Sequence, residues 1–256
     1  MIVTQVTKCR AFNYFIKHIY DGFHHLVVNN LPWWERNGLL ERSAIAIEEK
    51  LGDHFQHRYV GFIDCNCLRT DRPGGGPLGD GPGSLRWSND VQRSFYNGWK
   101  SIHGLKHQTV DNALGFVMDV YGPVPLRGND MSLFRDSKIN ERMENLGEWC
   151  LFGDSAYRHH SRTHSYGVDG EFNGKMKSVR ISIEWNYGTT ASLFTFIGMK
   201  RKFKVYETAG VARIYIVATL LKNFHACLYG NQTMNYFNVM LQEDFLECYI
   251  SGRNTV

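Results

Sequence analysis

Two apolar stretches of the chain each run into a carboxylate. YVGFID, residues 59–64, ends on Asp64, and WCLFGD, residues 149–154, ends on Asp154. Aspartate is among the residues least favoured in strands and least often buried, so an acid closing an apolar run calls for an explanation. If the two runs are parallel neighbours in one sheet, both carboxylates emerge at the same edge, where open α/β folds place their sites. A third acid is available in KMKSVRISIEWNYG, residues 175–188, where Arg180 and Glu184 stand one helical turn apart. Three carboxylates a few ångströms apart repel strongly: two unit charges at ~4 Å cost roughly 4 kcal/mol at an effective dielectric near 20. Such a cluster persists only with protons or cations among its oxygens, and an all-oxygen donor set suits a hard divalent ion, Mg²⁺ or Mn²⁺. A pair of such ions stabilises the attacking and leaving oxygens of an in-line phosphoryl displacement. The plainer reading of the same residues is a set of turn-forming or helix-capping acids.

The elements that would have to position these acids are legible in outline. From about Val6 to Leu51 apolar residues recur at intervals of three and four, which predicts an N-terminal helical segment over 1–58. Strand-like runs follow at 59–64, 104–111, 115–122 and 149–154, each bounded by Gly, Asn or Asp. Helices are expected over 131–146, about 175–187 and 209–228. The alternation predicts an α/β body over 59–240, a mixed sheet flanked by helices, with a C-terminal tail over 241–256. Between the first two strands, DRPGGGPLGDGPGSLRWSND is too rich in Gly and Pro for either element and reads as a flexible excursion. It lacks the G-x-x-x-x-G-K-[ST] spacing of a phosphate loop.

Composition bounds the partners. The chain has 256 residues and a formal net charge of +4, which permits a polyanionic partner without demanding one. Its six cysteines are scattered, mostly in apolar runs, as expected of reduced thiols in an intracellular protein. The start lacks the pattern of a signal peptide, and the longest apolar run, Ile214 to Leu221, is too short to span a bilayer, so no membrane is expected as a partner.

The motifs GFID, QRSFYNGWKSIHGLKHQTVDNALGFVMDVYGPVPLRGNDMSLFRDS, LFGDSAY, FNGKMKSVRISIEWNYG and LLKNFHACLYGNQT occur in this order. In that order the chain resembles the DDE-type endonuclease domain of PIF/Harbinger transposases, and looks most like fungal members, over roughly Tyr59 to Phe237. The resemblance implies a ribonuclease-H-like fold, an acidic triad holding two divalent metal ions, and cleavage or transfer of DNA strands in the nucleus. Carried over by motif, the triad is Asp64, Asp154 and Glu184, with Asp64 bridging both ions and Asp130 in reserve as an alternative second acid. Family members usually carry or work with a helix-turn-helix or Myb-like module. The helices before Tyr59 lack the basic recognition face of one, so a separate DNA-binding partner is expected, and a homo-oligomer is possible. Two departures from the family pattern keep a second reading open, that of a decayed or domesticated binding module. Cys65 and Asn66 follow the first aspartate in place of Gly and Thr, and Asn129 precedes Asp130 in place of His.

Several further residues carry weaker expectations. Lys100, His103, Arg180 and the basic run Lys200, Arg201, Lys202 are candidate DNA contacts, a solvated surface being the plainer reading. His160 and His164 are four apart beside His159, but no cysteine or acid accompanies them at ligand spacing, so zinc is not expected. Cys65 and Cys67 are expected as free thiols, and Trp33 and Trp34 as core or interface.

Overall fold

The computed structural model describes residues 5–52, 56–72, 89–157, 159–197 and 208–252. Most of the Gly/Pro-rich excursion lies outside these, as do Lys200, Arg201 and Lys202.

One mixed, mostly antiparallel sheet of six strands organises the chain. Its strands are β1 (Tyr59–Arg69), β2 (Tyr96–Asn97), β3 (Ile102–Asn112), β4 (Val117–Pro125), β5 (Cys150–Gly153) and β6 (Thr163–His164). β3 pairs antiparallel with β1 on one side and with β2 and β4 on the other. β5 lies parallel to β1, and β6 parallel to β5. Helices pack around the sheet: α1 (Gln5–Phe23), α2 (Leu31–Arg36), α3 (Leu39–Leu51), α4 (Asn89–Phe95), α5 (Asp130–Ser137), α6 (Ile139–Glu144), α7 (Gly170–Leu193), α8 (Thr208–Tyr229), α9 (Gln232–Phe237) and α10 (Phe245–Ser251).

The sequence expectations hold for the order of these elements and shift at their limits. β1 does not stop at Asp64 but continues to Arg69, because β3 supplies a partner as far as Gly104. The helix expected over 131–146 is broken by Lys138, whose φ of 52° ends α5 and opens α6.

Alternation decides which residues face which helices. Leu151 lies in the cluster that holds Trp34, Val110, Met118 and Leu220, whereas Cys150 and Phe152 lie in the opposite cluster with Met176, Val179 and Ile183 of α7. A bulge between Tyr59 and Gly61 resets the parity of β1, so Phe62 joins the α7 side and Ile63 the other. Asp64 and Asp154, each two residues beyond a buried phenylalanine, therefore project toward the face that α7 covers.

Both flanks of the chain contribute to this core. Trp33 and Trp34 are buried and pack edge-on at 5.2 Å, and Phe245 and Tyr249 of α10 pack on them. Ser43 of α3 ties the N-terminal helices to the sheet, donating its hydroxyl to the Val60 carbonyl at 2.7 Å and accepting from the Ala113 amide at 2.9 Å. Among the described residues, α8 is the helix long and apolar enough to cross a membrane, but 61% of that window is buried inside this core. Its Asn223 side chain bonds both backbone groups of Val117, at 3.1 and 2.8 Å.

Candidate active site

Asp64 and Asp154 owe their proximity to the parallel pairing of β1 and β5. The last register pair of that ladder is Ile63 with Gly153, so the two aspartates are the next residue on each strand. There β5 ends. Gly153 permits the turn that follows, since a Cβ at that position would meet the Tyr157 ring at 2.7 Å. The Asp154 carboxylate caps this turn by accepting from the Ala156 amide at 2.9 Å.

α7 brings the third acid. Asp169 caps its N-terminus, accepting from the amides of Glu171 and Phe172 at 2.9 and 3.1 Å. Met176, Val179, Ile183, Asn186 and Thr190 recur at three and four and are buried against the sheet. Polar contacts to β3 fix the helix further: Asn186 donates to Asp111 at 2.7 Å, and the Tyr187 and Thr109 hydroxyls bond at 2.8 Å. Glu184 is thereby turned along the sheet edge, its side chain 56% exposed.

These three acids line one cavity of about 610 Å³, together with Asp130, Lys100, Arg180 and Cys67. Arg180 spans two of the carboxylates: it meets Oδ2 of Asp64 at 3.0 Å and stands 4.0 Å from Oε1 of Glu184. The other Asp64 oxygen accepts from the Cys65 amide at 2.7 Å. Burial pushes the Asp64 carboxyl up to about 6; the Cys65 amide and Arg180 pull it down, while Asp154 and Glu184 push it further up. Burial is the largest of these influences, and Arg180 offsets more of it than either neighbouring acid adds.

The rim carries cations of its own. Lys106 of β3 holds Asp130 at 2.7 Å and the Gly128 carbonyl at 2.8 Å. The Lys100 ammonium meets the Cys67 sulfur at 3.2 Å. Burial works against the charged form of Lys100, but Cys67, Asp130 and Asp64 outweigh it and its pKa is raised.

Of the residues singled out in the sequence, Asp64, Asp130, Asp154, Glu184, Lys100 and Arg180 come together. His103 does not: its ring lies 5.0 Å from Tyr96 and lines a separate cavity with Arg72, Gln92 and Arg93. Trp185, next to Glu184 on α7, packs on Tyr236 of α9, with ring centroids 5.1 Å apart. Sequence reasoning passed over Lys106, which is 6% exposed on β3 and carries no mark in the mixed polar sequence around it.

The donor chemistry suits a hard divalent ion, since the carboxylates of Asp64, Asp130, Asp154 and Glu184 line one cavity. Their oxygens stand wider apart than a single ion's ligands would, no three of these acids bringing oxygens within 4.8 Å of one another. No curated protein and no solved structure matches the chain. The family model described as DDE superfamily endonuclease matches residues 63–223, a span that takes in all of these acids and more than half of the sequence. With that match, the chain belongs to the DDE superfamily endonuclease family.

Proposed function

We propose that this chain is a DNA endonuclease of the Harbinger transposase type, built on a ribonuclease-H-like domain, with Asp64, Asp154 and Glu184 as its metal-holding triad. The observation that carries the reading is the convergence of these three acids, from β1, the end of β5 and α7, on one cavity. The sheet supports the fold: three antiparallel strands, β4, β3 and β1, continue into two parallel ones. Two Mg²⁺ or Mn²⁺ ions held there would supply charge neutralisation at the attacking and leaving oxygens of a DNA phosphodiester.

The chain's own residues do the rest. Arg180 meets the Asp64 carboxylate at Oδ2, an oxygen that a divalent ion would also seek, while the Cys65 amide holds Oδ1. Lys100, at the rim, offers an ammonium to the phosphates flanking the scissile bond, a contact whose strength falls with salt. Asp130, paired with Lys106 at 2.7 Å, is read as a supporting acid and Asp154 as the second acid of the triad. A separate DNA-binding partner supplies target recognition, and the site of action is the nucleus.

The test is nicking of supercoiled DNA in Mn²⁺. Asp64→Asn is expected to lower the rate by at least ~10²-fold, since several kcal/mol of charge stabilisation is removed and ~1.4 kcal/mol corresponds to tenfold. Wild-type nicking by that variant would end the assignment. One observation favours a second reading, a domesticated binding module: Arg180 already supplies Asp64 with a cation. A wild-type chain that gains no thermal stability from Mn²⁺ would decide for that reading.

A further inference from the structure

At the other end of β1 and β5 a second donor set assembles, of different chemistry. The ligand atoms of His57, Cys150 and His164 all lie within 4.8 Å of one another. They come from three places in the chain: the residues leading into β1, the first residue of β5 and the last of β6. Strand pairing brings them together. Tyr59 is paired with Cys150 and Phe152 with His164, and Cys150 and Phe152 share a face, so Cys150, His164 and the Tyr59 side chain project to one side. Cys150 and His164 are buried and His57 is half-buried. No cysteine stands at ligand spacing from the histidines in sequence, yet Cys150 is adjacent to His164 in the sheet; His57 joins them, whereas His160 packs on Phe134.

We propose that His57, Cys150 and His164 bind a zinc ion that clasps the starts of β1 and β5 to the β6 segment. Borderline-soft Zn²⁺ favours thiolate and imidazole donors, in contrast to the all-oxygen cavity around Asp64. The Tyr59 hydroxyl stands 2.8 Å from Nδ1 of His164, the outer contact that fixes the ring of a metal-bound histidine and leaves Nε2 to ligate. The rings of His57 and His164 meet at 4.4 Å, while His159 stacks on His164 at 4.2 Å without its ligand atoms joining the group of three, which leaves a fourth position to water. Burial raises the pKa of the Cys150 thiol, and Arg162 beside it works the other way. The thiol donates to the Glu148 carbonyl at 3.6 Å, a weak S–H contact that a metal would replace. Binding takes up the thiolate and two neutral imidazoles and releases the thiol proton to solvent. The site lies five residues from Asp64 along β1, or roughly 16 Å at ~3.3 Å per residue, so it is separate from the acidic cavity. Its consequence for that cavity is mechanical: the loop after Asp154 returns to the sheet through His159 and His164, and a metal there anchors it.

The experiment uses the full chain, stripped with chelator and titrated with Zn²⁺ and with Co²⁺ as a spectroscopic probe. A single tight equivalent is expected, with a thiolate-to-cobalt charge-transfer band, a ligand-field spectrum of tetrahedral type, and a rise in thermal midpoint. Cys150→Ser should abolish the charge-transfer band. Tyr59→Phe, which keeps the buried ring, should weaken Zn²⁺ binding by ~10–100-fold. His57→Ala, at a half-buried position outside the core, should weaken it at least as much while circular dichroism reports an intact fold. Asp64→Asn should leave the cobalt spectrum unchanged, so this proposal and the nuclease reading fail separately. Absence of the band in folded wild-type protein, its persistence in Cys150→Ser, or its loss in Asp64→Asn would overturn the site.

Discussion

Asp64 and Asp119 both stand on strands of the sheet and both face an arginine from a helix, yet the two pairs are built differently. Asp119 of β4 is 2% exposed and meets Arg142 of α6 through both oxygens, at 2.7 and 2.9 Å, with the Asn29 amide adding a third bond at 2.9 Å. Asp64 meets Arg180 through one oxygen, opens onto a cavity, and shares it with Asp154 and Glu184. The first arrangement satisfies a carboxylate completely and leaves it no further chemistry. The second holds a carboxylate to its arginine at one oxygen only, at a place that opens onto a cavity. Fork geometry with no neighbouring acids marks a fastening, whereas a single-point contact among acids marks a site.

The largest effect expected is on the fastening. Arg142→Ala would strand the buried Asp119 charge with only the Asn29 amide, and such losses run to ~3–5 kcal/mol. Urea unfolding at pH 7 would read it as a lower midpoint. A cost below ~1 kcal/mol would show that Asp119 tolerates isolation and would dissolve the contrast with Asp64.

Asp64→Asn is expected to act in the opposite direction. The folded-state pKa of Asp64 is raised from 3.8 to about 6, so the native state holds its proton more tightly than the unfolded chain does. The stability this contributes is fully present below about pH 4 and is lost as the pH rises through about 6. In metal-free protein at pH 7 the ionised group therefore burdens the fold by up to ~3 kcal/mol, and asparagine lifts that burden. The variant should match wild type at pH 4 and exceed it at pH 7, compared by denaturant titration in chelator. A variant less stable than wild type at pH 7 would place Asp64 with Asp119, as a structural acid.

What made the site partly legible in sequence is that strands announce themselves by apolar runs and an acid closing such a run is conspicuous. Asp154 and Glu184 were placed in this way, the first by the end of its run and the second by helical spacing from Arg180. Asp64 lies on the expected strand, but inside it and not at its end. The polar sequence CNCLR hides the continuation of β1, which exists only because β3 pairs with it. The break at Lys138 was hidden because a left-handed lysine carries no compositional mark. Contacts between distant segments were hidden altogether. Arg180 reaches Asp64 across 116 residues, and no spacing rule joins His57 to Cys150.

The smallest effect expected tests what Arg180 is for. Its guanidinium and a divalent ion seek the same Asp64 oxygen, so removing it should make Mn²⁺ binding tighter, by a few-fold for a contact worth roughly 1 kcal/mol. A second consequence works against the first. Without Arg180 the Asp64 carboxyl loses a group that holds its pKa down, and near neutrality a proton would then contend with the metal. Calorimetry of Arg180→Ala at pH 8 separates the two, since there the carboxyl is ionised in both proteins and only the lost guanidinium differs. Tighter binding at pH 8 that fades toward pH 6.5 is the expected pattern. Weaker binding at pH 8 would mean that Arg180 holds Asp64 in a ligating posture, and Asp64–Arg180 would then be a fastening of the same kind as Asp119–Arg142.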